Sequence, residues 1–181
     1  ADVIVIGAGG AGLAASVSAL QNGASVILLE KTSVLGGNTV ASGGVWNAVN
    51  PELIAKTPNE TGRIETLKSF LDKEEPLSEE YARTLETLQG QIREYLEGDT
   101  SMLFDSVELH IMQTYYGGLR QDLDGNWVYG DFDMVETLCS NSMESKKWLE
   151  GIGSQFQQTL VEPIGAMWAR STGAATSNAE D

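Results

Sequence analysis

Val3-Ile4-Val5-Ile6 runs directly into Gly7-Ala8-Gly9-Gly10-Ala11-Gly12, and from there into an Ala-rich helical stretch. An apolar strand, a glycine turn and a helix in this order form a dinucleotide cradle. Gly7 allows the tight strand-to-helix turn, Gly9 lets backbone approach a pyrophosphate, and Gly12 lets the helix pack close to the strand. The helix N-terminus offers free N–H groups and the positive end of its dipole to phosphates. A second strand, Ser25-Val26-Ile27-Leu28-Leu29, ends at Glu30, where an acid accepts hydrogen bonds from an adenosine ribose.

An acid at position 30 disfavours a ribose 2′-phosphate, which leaves NAD and FAD. The next segment decides between them. Lys31-Thr32-Ser33-Val34-Leu35-Gly36-Gly37-Asn38-Thr39-Val40-Ala41-Ser42-Gly43-Gly44 is a second glycine-rich loop, directly after the ribose acid. A plain NAD domain would pass into a crossover helix here. Gly36, Gly37, Gly43 and Gly44 instead offer backbone free of side chains that can lie against a flat ligand, with Asn38, Thr39 and Ser42 as polar contacts. Gly10, Ala11 and Lys31 complete the expected cofactor-binding set, and no metal ligands are expected.

On these residues, the stretch 1–50 resembles the FAD-binding domain of the fumarate reductase/succinate dehydrogenase flavoprotein family. The likeness is to its soluble flavocytochrome-like and urocanate-reductase-like members, and it continues more loosely over 100–170. The resemblance implies that Gly7, Gly9 and Gly12 contact the FAD pyrophosphate and that Glu30 holds the adenosine ribose. It also implies that the loop 36–44 runs past ribityl and isoalloxazine. Membrane-bound relatives carry in this loop a histidine that bonds covalently to flavin; the residue here is Asn38, so the FAD is expected to be non-covalent.

Composition narrows the class further. With 26 acids against 11 Lys and Arg, the formal charge is −15, which argues against a nucleic-acid backbone or an anionic membrane face as partner. No apolar run reaches the length of a membrane span. The chain opens on its first strand with neither a basic n-region nor an h-region. Any targeting segment is therefore expected to have been removed or to lie outside these residues, and the compartment stays open between cytoplasmic and extracytoplasmic. The single cysteine, Cys139, excludes an internal disulfide and reads as a buried small apolar residue.

Past residue 50 the pattern turns to polar helices. Pro51, Pro58 and Asn59-Glu60-Thr61-Gly62 mark a connection. A short helix is expected over 64–71. Over 78–97, Tyr81, Leu85, Leu88, Ile92 and Tyr95 form one apolar helical stripe. Leu103, Val107, Ile111 and Tyr115 repeat the four-residue step before Gly117-Gly118. Asp124-Gly125-Asn126 lacks the spacing of a calcium loop and reads as a turn. Asp133 with Glu136 resembles a capping box that opens a helix through Met134, Leu138 and Leu149. The tail 171–181 is small and polar and is expected to fray.

The expected fold class is α/β: a partial Rossmann-like FAD-binding parallel sheet with an α-helical insertion. Residues 1–58 are the N-terminal part of the FAD-binding domain, 59–153 the insertion, and 154–181 a return segment and frayed tail, with completion of the sheet near 155–170.

Reduction of a double bond conjugated to a carboxylate needs a cationic clamp and a general acid beside the flavin. Arg63, Arg83 and Arg93 sit on amphipathic helices, with a solvated face as default. His110, the only histidine, is expected to pack half-buried. Arg170 ends the apolar stretch Pro163-Ile164-Gly165-Ala166-Met167-Trp168-Ala169; it is either a substrate-side residue or a surface arginine near a chain end. In the resembled family a similar stretch passes near the flavin and is followed by a basic residue and a histidine, whereas Ser171-Thr172 follow here.

The resemblance implies an FAD-dependent reductase of the fumarate reductase type, acting on an unsaturated carboxylate such as fumarate or urocanate, with an unidentified electron donor. Family members continue well beyond residue 181, so an excised piece, a proteolysed remnant or a truncated product is expected, inactive alone. The alternatives are another FAD enzyme, such as a ketosteroid dehydrogenase or L-aspartate oxidase, and a non-catalytic FAD-binding module.

Overall fold

In the computed structural model, which describes residues 1–175, the chain divides into two compact units between Gly44 and Val45. In the first, strand β1 (Val3–Ile6) pairs in parallel with β2 (Val26–Leu29), Val3 facing Val26 and Ile6 facing Leu29. Helix α1 (Gly10–Gln21) makes the crossover and packs on both strands. Val3, Val5, Val26 and Leu28 are half-buried. Ile4, Ile6, Ile27 and Leu29 point the other way and are exposed, as the two-residue period of a strand requires. At the start of β2 the Asp2 carboxylate accepts from the Ser25 N–H and hydroxyl. A 3₁₀ turn at Gly37–Ala41 follows β2.

The second unit is built on four helices. After β3 (Val45–Asn47) and the short α2 (Pro51–Ile54) come α3 (Thr61–Leu71), α4 (Glu79–Glu97), α5 (Val107–Gly118) and α6 (Phe132–Gly151). Tyr81, Leu85, Leu88 and Ile92 of α4 are buried, as the stripe predicts, and meet Leu67 and Phe70 of α3, Leu109, Met112 and Tyr115 of α5, and Val135 and Cys139 of α6. Tyr81 and Tyr115 stack at 3.9 Å between ring centroids. Ser78 and Ser106 cap α4 and α5 through their hydroxyls. Between α5 and α6, β4 (Arg120–Gln121) and β5 (Trp127–Val128) form a hairpin. Its turn is closed by the Asp122 carboxylate, which accepts from the Asp124 and Asn126 N–H groups.

Three expectations need correction. Helix α6 is capped by Asp131, which accepts from the Met134 N–H at 3.2 Å, and not by Asp133. This register turns Val135, Cys139, Ser142 and Lys146 inward, whereas Met134 and Leu138 are exposed. Phe132 packs edge-on against Tyr81, and that contact sets the start of the helix. The return segment adds no parallel strand near 155–170. Instead β6 (Ser171–Gly173) pairs antiparallel with β3, and both strands lie in the second unit. For the same reason the expected fraying fails at its start. Ser171 and Thr172 are among the most buried residues, because β3 supplies their backbone partners; positions 176–181 lie outside the described residues.

Candidate functional site

The first unit gathers its two glycine loops side by side. Gly7, at φ +99°, makes the turn out of β1, and its N–H donates to the Leu29 carbonyl at 2.7 Å. A Cβ on Gly12 would overlap the Gly7 carbonyl oxygen, so glycine at 12 is dictated by the close approach of α1 to the turn. A Cβ on Gly9 meets nothing within 4 Å; Gly9 keeps open a space that no protein atom fills. The second loop joins the first edge to edge. The Gly36 N–H donates to the Ala8 carbonyl at 2.7 Å, Gly9 and Gly36 form a parallel bridge, and the Gly10 N–H donates to the Thr39 hydroxyl at 3.3 Å. Gly36 and Gly37 take positive φ, and a Cβ on Gly37 would stand 3.5 Å from the Gly9 Cα.

Helix α1 begins at this junction with Gly9 as its cap, no side-chain cap bond and no acid in its first turn. The Gly10 N–H is taken by Thr39; with no cap side chain and no acid in the first turn, the N–H groups of Ala11 and Gly12 leave the positive end of the helix dipole uncompensated. Glu30 ties the junction to the end of β2. One carboxylate oxygen accepts from the Ala8 N–H at 2.8 Å, the other from the Thr32 N–H at 2.9 Å and the Thr32 hydroxyl at 3.0 Å. These bonds, that of Ala8 first, pull its pKa down to about 2. A carboxylate has about four acceptor sites, so one remains for a ligand hydroxyl. Ala11, Lys31, Asn38, Ser42, Gly43 and Gly44 are exposed in the same unit. The sequence pattern did not single out Ala8 and Thr32, whose roles are backbone and local.

A second set of polar groups lies within the helical unit. Arg170 is not a surface residue: it is buried, and it donates from Nε and Nη2 to the fully buried carboxylate of Asp105, at 3.1 and 2.6 Å. Burial pushes the Asp105 carboxyl up, and the guanidinium opposes that shift. Trp168 anchors the same segment, its indole N–H donating to the Phe104 carbonyl at 2.9 Å. His110 is more deeply buried than expected, at 9% exposure. Burial first, and Arg170 second, bring its pKa down to about 4, so the imidazole is neutral at pH 7. Arg170 and His110 share the wall of a cavity of about 200 Å³ with Asn47, Gln113, Thr114 and Met167. His110 stands out in the sequence as the only histidine, nothing marks Gln113 or Thr114, and Asp105 sits in a short connection with no pattern to mark it.

Among the described residues, no helix is long and apolar enough to cross a membrane. The family model for the FAD binding domain matches residues 2–179. The chain is 47% identical over 175 residues to NADH:acrylate oxidoreductase of Vibrio harveyi, an alignment covering 94% of this chain and 17% of that protein. It is 51% identical over 49 residues to urocanate reductase of Eggerthella lenta, 27% of this chain and 8% of the relative. It is 53% identical over 47 residues to the cytochrome-type fumarate reductase of Shewanella frigidimarina, 26% of this chain and 8% of the relative. The chain thus spans less than a fifth of the length of these relatives. An open space over Gly9 at an uncapped helix N-terminus, an ionised acid at the end of β2 and a second backbone loop fit FAD, and the chain belongs to the FAD binding domain family, among flavoproteins of the fumarate reductase type.

Proposed function

We propose that this chain is the FAD-holding part of a reductase that acts on a small unsaturated carboxylate, with acrylate as the first substrate to assay. The observation that carries the reading is the paired glycine junction, with its open space at Gly9 and its uncapped α1 terminus. The relatives' own substrates, acrylate, urocanate and fumarate by name, support the substrate class.

In this reading β1, α1 and β2 open a Rossmann-like domain, and the helices over 59–153 are an insertion into it. The N–H groups of Gly9, Ala11 and Gly12 receive the pyrophosphate, with Gly7 holding the turn and Gly10 joining it to the second loop through Thr39. Glu30 uses its remaining acceptor site for the adenosine ribose, and Lys31 flanks it. Gly36, Gly37, Gly43 and Gly44 give the flavin moiety a backbone wall, with Asn38, Thr39 and Ser42 as polar contacts. Asn38 has no nucleophilic ring nitrogen, so attachment is non-covalent. FAD, when bound, supplies the hydride chemistry. The protein's task is to hold it, exclude water and place a cation and a proton donor beside the substrate. The 181-residue chain binds FAD without turning over an enoate.

The test has two arms. The 181-residue chain, incubated with FAD and desalted, is expected to keep a flavin spectrum; a colourless protein overturns the cofactor assignment. The full reading frame that carries these residues is then assayed anaerobically for oxidation of a reduced viologen dye by acrylate, urocanate and fumarate. Lack of turnover with all three overturns the substrate class.

A further inference from the structure

We infer that Thr39 is a positioning residue: its hydroxyl couples an anion bound at the N-terminus of α1 to closure of the 3₁₀ turn at Gly37–Ala41, so that one end of the cofactor sets the loop beside the other. The inference deepens the proposed function and rests on it for the identity of the anion, the pyrophosphate of FAD. Among the described residues, hydrogen bonds join this turn to the cradle at two places. The first is backbone: Gly36 is buried, its N–H donates to the Ala8 carbonyl at 2.7 Å, and it bridges to Gly9. The second is one side chain, that of Thr39, whose hydroxyl accepts from the Gly10 N–H at 3.3 Å.

Shape seats the turn at the same point. A Cβ on Gly10 would stand 2.7 Å from the Thr39 hydroxyl oxygen, and a Cβ on Gly36, at φ +102°, would run into Val40. Burial does not hold the turn, since Asn38, Thr39, Val40 and Ala41 are all exposed. An exposed turn closed by one hydroxyl belongs to the low-stability end of a fold, where a ligand can bias it.

A hydroxyl accepts and donates at once. With the Gly10 N–H directed at its oxygen, Thr39 keeps its own proton to give, beside the helix end where the Ala11 and Gly12 N–H groups and the dipole favour an anion. An anion there gains a donor while the turn is closed and loses it when the turn opens. That difference is what shifts the equilibrium. By linkage the anion closes the turn by the same factor by which the closed turn tightens the anion. One hydrogen bond sets that factor at about three- to tenfold.

The 181-residue chain is titrated with ADP and, separately, with adenosine, without added FAD, and amide hydrogen exchange at positions 39 and 42 is followed by NMR. Both N–H groups bond within the turn, that of Thr39 to the Gly36 carbonyl and that of Ser42 to the Thr39 carbonyl, so their exchange reports its opening. ADP is expected to slow both about three- to tenfold, and adenosine, which has no phosphate, is expected not to. Thr39→Val keeps the branched shape and removes the hydroxyl. Its turn amides are expected not to respond to ADP, and its Kd for ADP to rise by the same factor. Thr39→Ser is expected to restore both. A merely structural role would weaken ADP binding in the valine variant and leave the response of the turn amides intact.

Unchanged exchange in wild-type protein that binds ADP overturns the inference and leaves the cofactor reading standing. An equal response in Thr39→Val, an equal response to adenosine, or no recovery in Thr39→Ser does the same. A chain that keeps FAD after desalting yet does not bind ADP also refutes the coupling alone. A chain that takes up neither refutes the coupling and the cofactor reading together.

Discussion

Replacing Arg170 by Met tests whether the guanidinium anchors the helical unit. The substitution removes the charge that faces Asp105 and keeps an unbranched apolar stem in the space. Asp105 has no exposed side-chain surface and Arg170 has 5%, so solvent cannot take over the lost partner. Removing one member of a buried, two-bond ion pair costs about 3–5 kcal/mol, because the remaining charge is left desolvated. For a unit of this size that corresponds to a fall in Tm of about 10–20 °C. All four tryptophans, Trp46, Trp127, Trp148 and Trp168, lie in the helical unit, so urea unfolding followed by their fluorescence reports this unit alone. The midpoint is expected to drop with the slope unchanged. Asp105→Leu made together with Arg170→Met removes both charges and is expected to restore most of the loss, since a buried pair replaced by apolar groups is often neutral. A single variant within about 1 kcal/mol of wild type, inside the range of ordinary surface substitutions, would refute the reasoning.

Other consequences can be measured directly. Gly9→Val is expected to abolish FAD retention with an unchanged far-UV CD spectrum, because its side chain enters space that no protein atom occupies; equal flavin content in variant and wild type would sink the role of Gly9. Gly12→Ala, by contrast, forces a Cβ onto the Gly7 carbonyl and is expected to destabilise the first unit by about 1–3 kcal/mol, as overpacking does, which limited proteolysis with and without FAD would detect. Acid precipitation is expected to release all flavin into the supernatant, because Asn38 cannot bond it; yellow protein in the pellet contradicts this. His110, held near a pKa of about 4 by burial and by Arg170 with Asp105 behind it, contributes stability that is full above its unfolded pKa of about 6.5. That stability, about 3 kcal/mol at most, is lost as the pH falls from there through about 4. His110→Gln removes that dependence. A wild-type stability profile parallel to the variant's between pH 4 and 6.5 would show that the imidazole is not buried neutral.

The cradle was readable in the sequence because its physics is local. Gly7 must be glycine for its φ, Gly12 must be glycine for what lies five residues behind it, and Glu30 ends the strand that pairs with β1. Each requirement is met within about thirty residues, so a spacing rule captures it. The α4 stripe was readable for the same reason, since helical period and burial are one statement there. The start of α6 was misread where two cap acids, Asp131 and Asp133, lie two residues apart. What decides between them is Phe132, packed on Tyr81 some fifty residues away. Local propensity leaves a tie that a tertiary contact breaks.

Arg170 marks the other limit. Its neighbours in sequence suggest a chain end, and its burial comes entirely from distant parts: Asp105 from the connection before α5, His110 and Gln113 from α5, and the β3 backbone, whose pairing with β6 orders the residues just after it. Arg170 belongs to no periodic pattern, and neither does its partner carboxylate. The energetics nevertheless require that partner, because a guanidinium cannot be buried in this unit without a counter-charge. The inference can therefore be turned round. Once an apolar run such as 163–169 is seen to end in a buried arginine, a buried acid is demanded, and only the folded structure shows that Asp105 supplies it. The pair holds the guanidinium in place at the cavity wall, so the arginine's position is set by Asp105 and not by anything in its own sequence neighbourhood.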